Sequence, residues 1–384
     1  MLPTTLVAAL ALAIWLYLLA GRGGFWLLRE REEREGAGAP ALWPSIVAIV
    51  PARDEAEMLP AALPSLIQQD YPGSFRIFVV DDHSADGTAE AVLTIAADLG
   101  AADRVQALVG AALPSGWTGK LWAMEQGVAA AEASAPDYLL LTDADIYYGP
   151  GALRRLAARA CRTRSVLTSI MVRLRTDAMA ERVLIPAFVF FFRMLYPFAW
   201  VNDPRARTAA AAGGCMLVDR QTLQAAGGLA SIRSALIDDC ALGALLKARG
   251  QIWLGLSNEI RSLRPYPRVD DIRRMVVRSA YAQLRYSPLL LGLCACGMAV
   301  VYVVPPVLAL FVGGLAGALG WAAWLLMALA FAPMLRFYGR SLLWGAALPL
   351  IAALYLLFTL QSAIEHRLGR GGMWKGRAQA ISGT

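Results

Sequence analysis

The sequence predicts an α/β domain with a mainly parallel sheet, set between membrane-spanning helices. Three observations carry this expectation. Between Ser45 and about Ser287, short apolar and β-branched runs alternate with helical patterns, as in βαβ units. These runs end in acidic or polar clusters, and open α/β sheets bind ligands beyond the carboxyl ends of their strands. The 384-residue chain is 58% hydrophobic and only 17% charged, against about 45–50% and 25% in soluble globular proteins. Its apolar excess lies outside the central region. That distribution argues against an ordinary soluble enzyme and against a disordered, collagenous or coiled-coil chain.

Taken in order, residues 2–20 (LPTTLVAALALAIWLYLLA) carry no charge, and about 20 apolar residues cross a hydrocarbon core. With no basic region before them and no small-residue cleavage site after them, residues 1–21 read as a retained anchor. Residues 22–44 read as a juxtamembrane helix and linker. The domain at 45–287 opens with SIVAIVPA (45–52), FRIFVVDD (75–82), RVQALVG (104–110) and YLLLTDAD (138–145). Helical patterns fall between them at Glu55–Gln69, Thr88–Leu99 and Lys120–Ala133. The run 183–201 is nearly span-length but contains Arg193 and two prolines. A single crossing there would place the acidic clusters on its two sides on opposite faces of the membrane. An interfacial helix or lipid-facing groove is expected, with a buried core helix as the alternative. Residues 273–286 (RRMVVRSAYAQLRY) read as a basic amphipathic surface helix. Three apolar runs at 289–312, 315–335 and 342–360 place three spans within 288–362, before a basic tail at 363–384.

Charge and rare residues narrow the chemistry. The net charge of +7 suits cytoplasmic loops near anionic lipid, and no stacking platform points to nucleic acid. Five cysteines without a CxxC pair give neither a disulfide framework nor a zinc site. Two histidines, His83 and His366, leave no histidine cluster. Arg22, Arg29, Arg31, Arg34 and the 336–340 segment place the central domain on the cytoplasmic side. Three C-terminal spans then put Arg367, Arg370, Lys375 and Arg377 outside, against the positive-inside rule.

Four acidic clusters stand in order: PARDE (51–55), DDHSADGT (81–88), TDAD (142–145) and IDD (237–239). An acidic strand end is often a helix N-cap, but three of the four follow apolar strands. Asp143 and Asp145 are spaced i, i+2 at a strand exit. They present hard oxygens suited to Mg²⁺ or Mn²⁺, with coordination positions left open for phosphate. Such an ion neutralises charge on a departing diphosphate. Asp238 and Asp239 supply a separate carboxylate able to take a proton from an attacking hydroxyl. No GxGxxG or Walker A motif is present.

Together with GKLWAMEQG (119–127), GGCMLVDR (213–220) and AAGGL (225–229), these motifs resemble family 2 glycosyltransferases of the GT-A fold over about 45–287. The flanking spans and SPLLL at 287–291 further resemble bacterial hopanoid-biosynthesis-associated glycosyltransferases. The resemblance implies a nucleotide-diphosphate sugar donor (a UDP-sugar foremost), a lipid acceptor, a divalent metal and a bacterial inner membrane. It implies donor contacts at Ala52, Arg53, Asp54 and Glu55. It places the nucleobase at Asp81 and Asp82, with Asp82 favoured, and the diphosphate at Lys120. It makes Asp143 and Asp145 the DxD motif, with Asp145 the direct metal ligand. Gly213 and Gly214 would lie beside acceptor and donor sugar. Asp239 would be the base of an inverting displacement, with Asp238 in place of the more usual glutamate. His83 stands where glycine is common in the family.

Many membrane-bound relatives carry QxxRW before their C-terminal spans. Here AQLRY (282–286) lacks the first Gln and has Tyr for Trp. Arg285 remains available to diphosphate, Tyr286 to the acceptor, and Gln283 as a shifted substitute. This departure favours transfer of one sugar over processive polymer synthesis. A non-catalytic scaffold or transport component would not need every acidic cluster occupied.

Overall fold

A computed structural model describes residues 2–34, 38–369, 373–374 and 377–378. They form two compact units. One holds residues 30–175 and 200–265 with the short antiparallel pair Met373–Trp374 and Arg377–Ala378. The other holds residues 2–29, 176–199 and 266–369. Segments 176–199 and 266–287, grouped above with the α/β domain, therefore cluster with the apolar helices.

The first unit is built on an eight-stranded sheet. Its strands are β1 (Ile46–Ala52), β2 (Phe75–Asp81), β3 (Val105–Val109), β4 (Tyr138–Thr142), β5 (Ile146–Tyr148), β6 (Leu167–Arg173), β7 (Cys215–Asp219) and β8 (Ile252–Ser262). The order is β3-β2-β1-β4-β7-β6-β8-β5. The β3-β2-β1-β4 half is parallel, as the βαβ reading requires. Strand β7 runs antiparallel to both neighbours, β6 pairs β8 in parallel, and β5 caps the edge antiparallel to β8. The sheet is thus mixed beyond its first half. All seven residues of β1 are buried, as expected of a central strand covered on both faces. Ile46, Ala48, Val50, Ile77, Val79, Leu140 and Leu217 share one core with the helix Ala152–Thr163.

The connecting helices follow from local chemistry. Leu59–Ile67 begins later than its apolar pattern because residues 55–58 first close a turn, and Pro60 sits at its start, where its missing N–H costs nothing. Thr88–Asp98 follows Gly87 in a left-handed conformation. Gly119–Ala131 is capped by Thr118, whose hydroxyl accepts the Leu121 N–H. Gly127 lets this helix lie close to β1: a Cβ there would come 2.4 Å from Ile49.

In the second unit, Leu2–Gly21, Pro288–Phe311, Gly314–Phe337 and Leu342–Arg367 are long and apolar enough to cross a membrane. Trp15 donates its indole N–H to the Val301 carbonyl at 2.9 Å and meets Tyr302 edge-on. Met179–Leu195 is a 17-residue helix, short of a span. Its Leu184, Ile185, Val189 and Phe190 are buried. Arg193, fully buried, donates to the Phe25 carbonyl at 2.7 Å and lies over the Phe198 ring. This explains how an arginine is tolerated in an apolar stretch. Residues 273–286 form no continuous helix: Val269–Val277 and Ala280–Gln283 are separate, with Ile272 and Val276 buried. Arg370 and Lys375 of the basic tail lie outside the described residues.

Candidate active site

The parallel half of the sheet delivers its strand ends side by side, with Ala52 opposite Asp81. The Asp82 N–H donates to the Ala52 carbonyl at 2.8 Å. The Arg53 guanidinium donates to the Asp82 carbonyl at 2.6 Å and approaches its carboxylate at 3.4 Å. Asp82 is 1% exposed. The residue favoured for the nucleobase thus directs its carboxylate to Arg53.

The two loops then interlock. Asp54 N–H donates to Ser84 Oγ, and Ala85 N–H donates back to Asp54 Oδ1, both at 2.9 Å. Glu55 N–H donates to Thr88 Oγ1 and Ala56 N–H to Asp86 Oδ2. Asp81 accepts from the backbone and hydroxyl of Ser84. Burial opposes ionisation of Asp86, but hydrogen bonds from Thr88 and Ala56 outweigh it and hold the carboxyl below its ordinary value. Asp54 and His83 adopt φ of +50° and +54°. Both values lie in the left-handed region, which glycine takes without a steric cost.

The second cluster lies at Lys120, on the first turn of Gly119–Ala131. Its Nζ is 2.8 Å from Asp143 Oδ1 and 3.4 Å from Asp238 Oδ2. Burial opposes its charge, but Asp143, Asp238 and Asp239 together hold it well above the ordinary lysine range. Asp239, at the start of the helix Asp238–Lys247, accepts the Gly213 N–H at 2.9 Å on one oxygen and the Cys240 N–H at 2.7 Å on the other. Burial first, and repulsion from Asp238 second, push its carboxyl up to about 6. Burial likewise raises Asp143 against the pull of Lys120. A Cβ on Gly213 would stand 3.3 Å from Lys120 Nζ and 3.5 Å from Asp239 Oδ2, so this glycine lies against both side chains. Gly214 packs against Val172 and accepts the Thr142 hydroxyl at 2.8 Å.

The carboxylates of Asp143 and Asp145 differ. Asp143 keeps 35% of its side chain exposed, Asp145 only 7%. Asp145 Oδ2 accepts the Ser262 hydroxyl at 2.7 Å and lies 3.4 Å from Arg264 Nε. Arg264 also donates to Glu55 Oε1 at 2.5 Å. Ser262 and Arg264 were not expected from the sequence. Their signal was available: SLRPYPR (262–268) is another polar cluster closing an apolar run.

Glu55, Asp143, Asp145, Asp238 and Asp239 are five carboxylates linked to two cations, Lys120 and Arg264. Such a site repels a diphosphate until further positive charge arrives. Among the described residues no three His, Cys, Asp or Glu groups could hold a metal by themselves. Asp143 and Asp145 offer hard carboxylate oxygens, the ligand type of a divalent cation that completes its shell with phosphate and water. Gln283, Arg285 and Tyr286 belong to the helical unit. There Gln283 donates to the Tyr196 hydroxyl at 2.6 Å, Tyr286 stacks on His366 at 4.3 Å, and Arg285 and Tyr286 both have positive φ.

Residues 47–224 match the family Glycosyl transferase family 2. They form a family 2 glycosyltransferase domain. The domain carries Ala52–Glu55, Asp81, Asp82, Lys120, Asp143, Asp145, Gly213 and Gly214; Asp238, Asp239 and Arg264 lie beyond the matched residues. An N-acetylglucosaminyltransferase of Rhizobium sp. (strain N33) is 34% identical over 119 residues, 31% of this chain and 24% of that protein. One from Mesorhizobium japonicum is 33% identical over 118 residues, 30% of this chain and 26% of that protein. The chain thus spans about a quarter of the length of the curated relatives it matches. A mannosyltransferase from Pyrobaculum calidifontis, solved with GDP-Man and Mn²⁺, covers 96% of this chain and 99% of its own, with a TM-score of 0.55 and 17% identity. The shared architecture is the GT-A fold.

Proposed function

We propose that this protein is a membrane-bound, metal-dependent, inverting glycosyltransferase. It moves one sugar from a nucleotide-diphosphate donor, a UDP-sugar foremost, to a lipid acceptor, with a hopanoid as the first candidate. The observation that carries this reading is the juxtaposition of Lys120 with Asp143 and Asp238, beside an Asp239 held by two backbone N–H groups. Asp239 takes the proton of the acceptor hydroxyl as that oxygen bonds to the anomeric carbon. The bond from this carbon to the diphosphate oxygen breaks on the opposite side, which inverts the centre. Lys120 meets the charge left on the diphosphate. A divalent cation held at Asp143 and Asp145 would supply further neutralisation of that charge. Four span-length apolar helices support a lipid acceptor, since they would hold the chain where such a substrate resides.

The test is a donor screen with purified full-length protein. UDP- and GDP-sugars are incubated with Mg²⁺ or Mn²⁺, with and without extracted bacterial lipid, and products are read by mass spectrometry. A glycolipid bearing a single sugar, with inverted anomeric configuration, is expected. A long polymer, a retained configuration or no turnover of any donor would overturn the reading.

A further inference from the structure

The polar contacts at the end of β8 point to a residue that the proposed chemistry has not used. Strand β8 ends at Ser262, and its exit is tied to the DxD turn three times: Leu263 N–H donates to the Asp145 carbonyl at 2.9 Å, Ser262 Oγ to its carboxylate at 2.7 Å, and Arg264 Nε lies 3.4 Å from that carboxylate. From this anchored backbone Arg264 reaches across to Glu55, at the end of the β1 loop, at 2.5 Å. One guanidinium therefore joins the segment after β1 to the segment after β4. It remains 30% exposed, while the two carboxylates it holds are each 7% exposed. A planar five-donor fork matches a diphosphate. A structural tie could be made by burying the arginine along with its partners, but this one keeps part of its surface open to solvent.

We propose that Arg264 is a donor-binding residue, held ready on Glu55 and Asp145 and shared with the diphosphate when the donor and its divalent cation bind. The proposal rests on the donor-site reading above. Its physical logic is competition. Without donor, Arg264 neutralises Asp145 and so opposes binding of a free cation there. With donor, the cation takes that neutralising role, and the guanidinium gains an anionic partner in the phosphates. Binding of cation and diphosphate is thereby made mutually dependent, which disfavours a metal-loaded site without substrate.

Two affinities with opposite expected changes test this. Purified full-length protein and its Arg264→Met and Arg264→Lys variants are titrated by calorimetry, first with Mn²⁺ alone and then with UDP and with GDP in saturating Mg²⁺. In Arg264→Met, the affinity for Mn²⁺ alone is expected to rise several-fold. The affinity for the nucleoside diphosphate is expected to fall by about tenfold or more, the scale of one charge-assisted contact. Arg264→Lys, which keeps the charge but loses the fork, should restore most of the wild-type Mn²⁺ affinity and less of the diphosphate affinity. If both affinities fall together, Arg264 is a structural tie and the proposal fails. If diphosphate affinity is unchanged in Arg264→Met, it also fails. If the wild-type protein binds neither UDP nor GDP, the donor-site reading itself fails, and the Arg264 proposal with it. Far-UV circular dichroism of each variant shows whether the fold survives.

Discussion

The two ends of the site, both built at the carboxyl edge of one sheet, are organised in opposite ways. At the β1 and β2 exits, loops 52–56 and 81–88 are cross-linked by backbone-to-side-chain hydrogen bonds, with Asp54, Asp81 and Asp86 each accepting from the chain. At the β4 exit and the start of the helix Asp238–Lys247, Lys120 faces Asp143 and Asp238, and Asp239 is pushed up to about 6. Hydrogen bonding relaxes the first end before any ligand arrives. Crowded carboxylates leave the second short of positive charge. Under the proposed function, preorganisation serves the part of a donor that does not react. Electrostatic imbalance serves the part where charge changes, because a group that is comfortable without substrate gains little in the transition state.

The strongest break in this contrast is Asp239→Asn. It keeps the size of the side chain and removes the base, so transfer should fall by about 10²–10⁴, while calorimetry shows nucleoside diphosphate affinity within a few-fold of wild type. A large loss of binding instead would place Asp239 on the preorganised side. Next is Lys120→Ala, which leaves Asp143 and Asp238 without their shared cation. Its kcat is expected to drop by about 10²–10³, the scale for one lost stabilising group at a developing charge, measured as steady-state donor turnover. An unchanged kcat with raised KM would reduce Lys120 to a ground-state contact. Asp82→Ala probes the other end. Loss of the support under Arg53 should weaken donor binding about tenfold and leave kcat within a few-fold, the signature of uniform binding.

The smallest effect concerns pH. Burial and Asp238 push the Asp239 carboxyl up to about 6, so in the proposed role it would act as a base only above that value. The kcat/KM profile should therefore carry an acid limb near that value. Asp238 repulsion is the second cause of the shift, so Asp238→Asn should move the limb to lower pH. A limb that stays in place or moves upward would show that Asp238 does not tune the base.

Much of this arrangement was legible in the sequence. The β-branched runs at 46–52, 75–81, 105–109 and 138–142 alternate with helices, and parallel order follows from the crossover length. The acidic clusters mark strand ends because chain leaving a sheet edge must satisfy its own polar groups. The later strands were less legible. Leu167–Arg173 pairs with Ile252–Ser262, about 85 residues further along the chain, and β7 pairs antiparallel to both of its partners. Long-range pairing of that kind leaves no local period.

Residue types, spacing and hydropathy by themselves determined the family resemblance, the first half of the sheet, the four apolar helices and most of the acidic set. Tertiary structure alone decided how those acids are divided. Asp143 and Asp145 are two residues apart, yet one faces Lys120 and solvent while the other is buried under Ser262 and Arg264. Asp82, an equally plain acidic signal, lies beneath Arg53. The reason is geometric: spacing states which side chains leave a strand together, but the partner each meets comes from segments 23 to more than 100 residues away, and only the folded sheet brings those within hydrogen-bond reach.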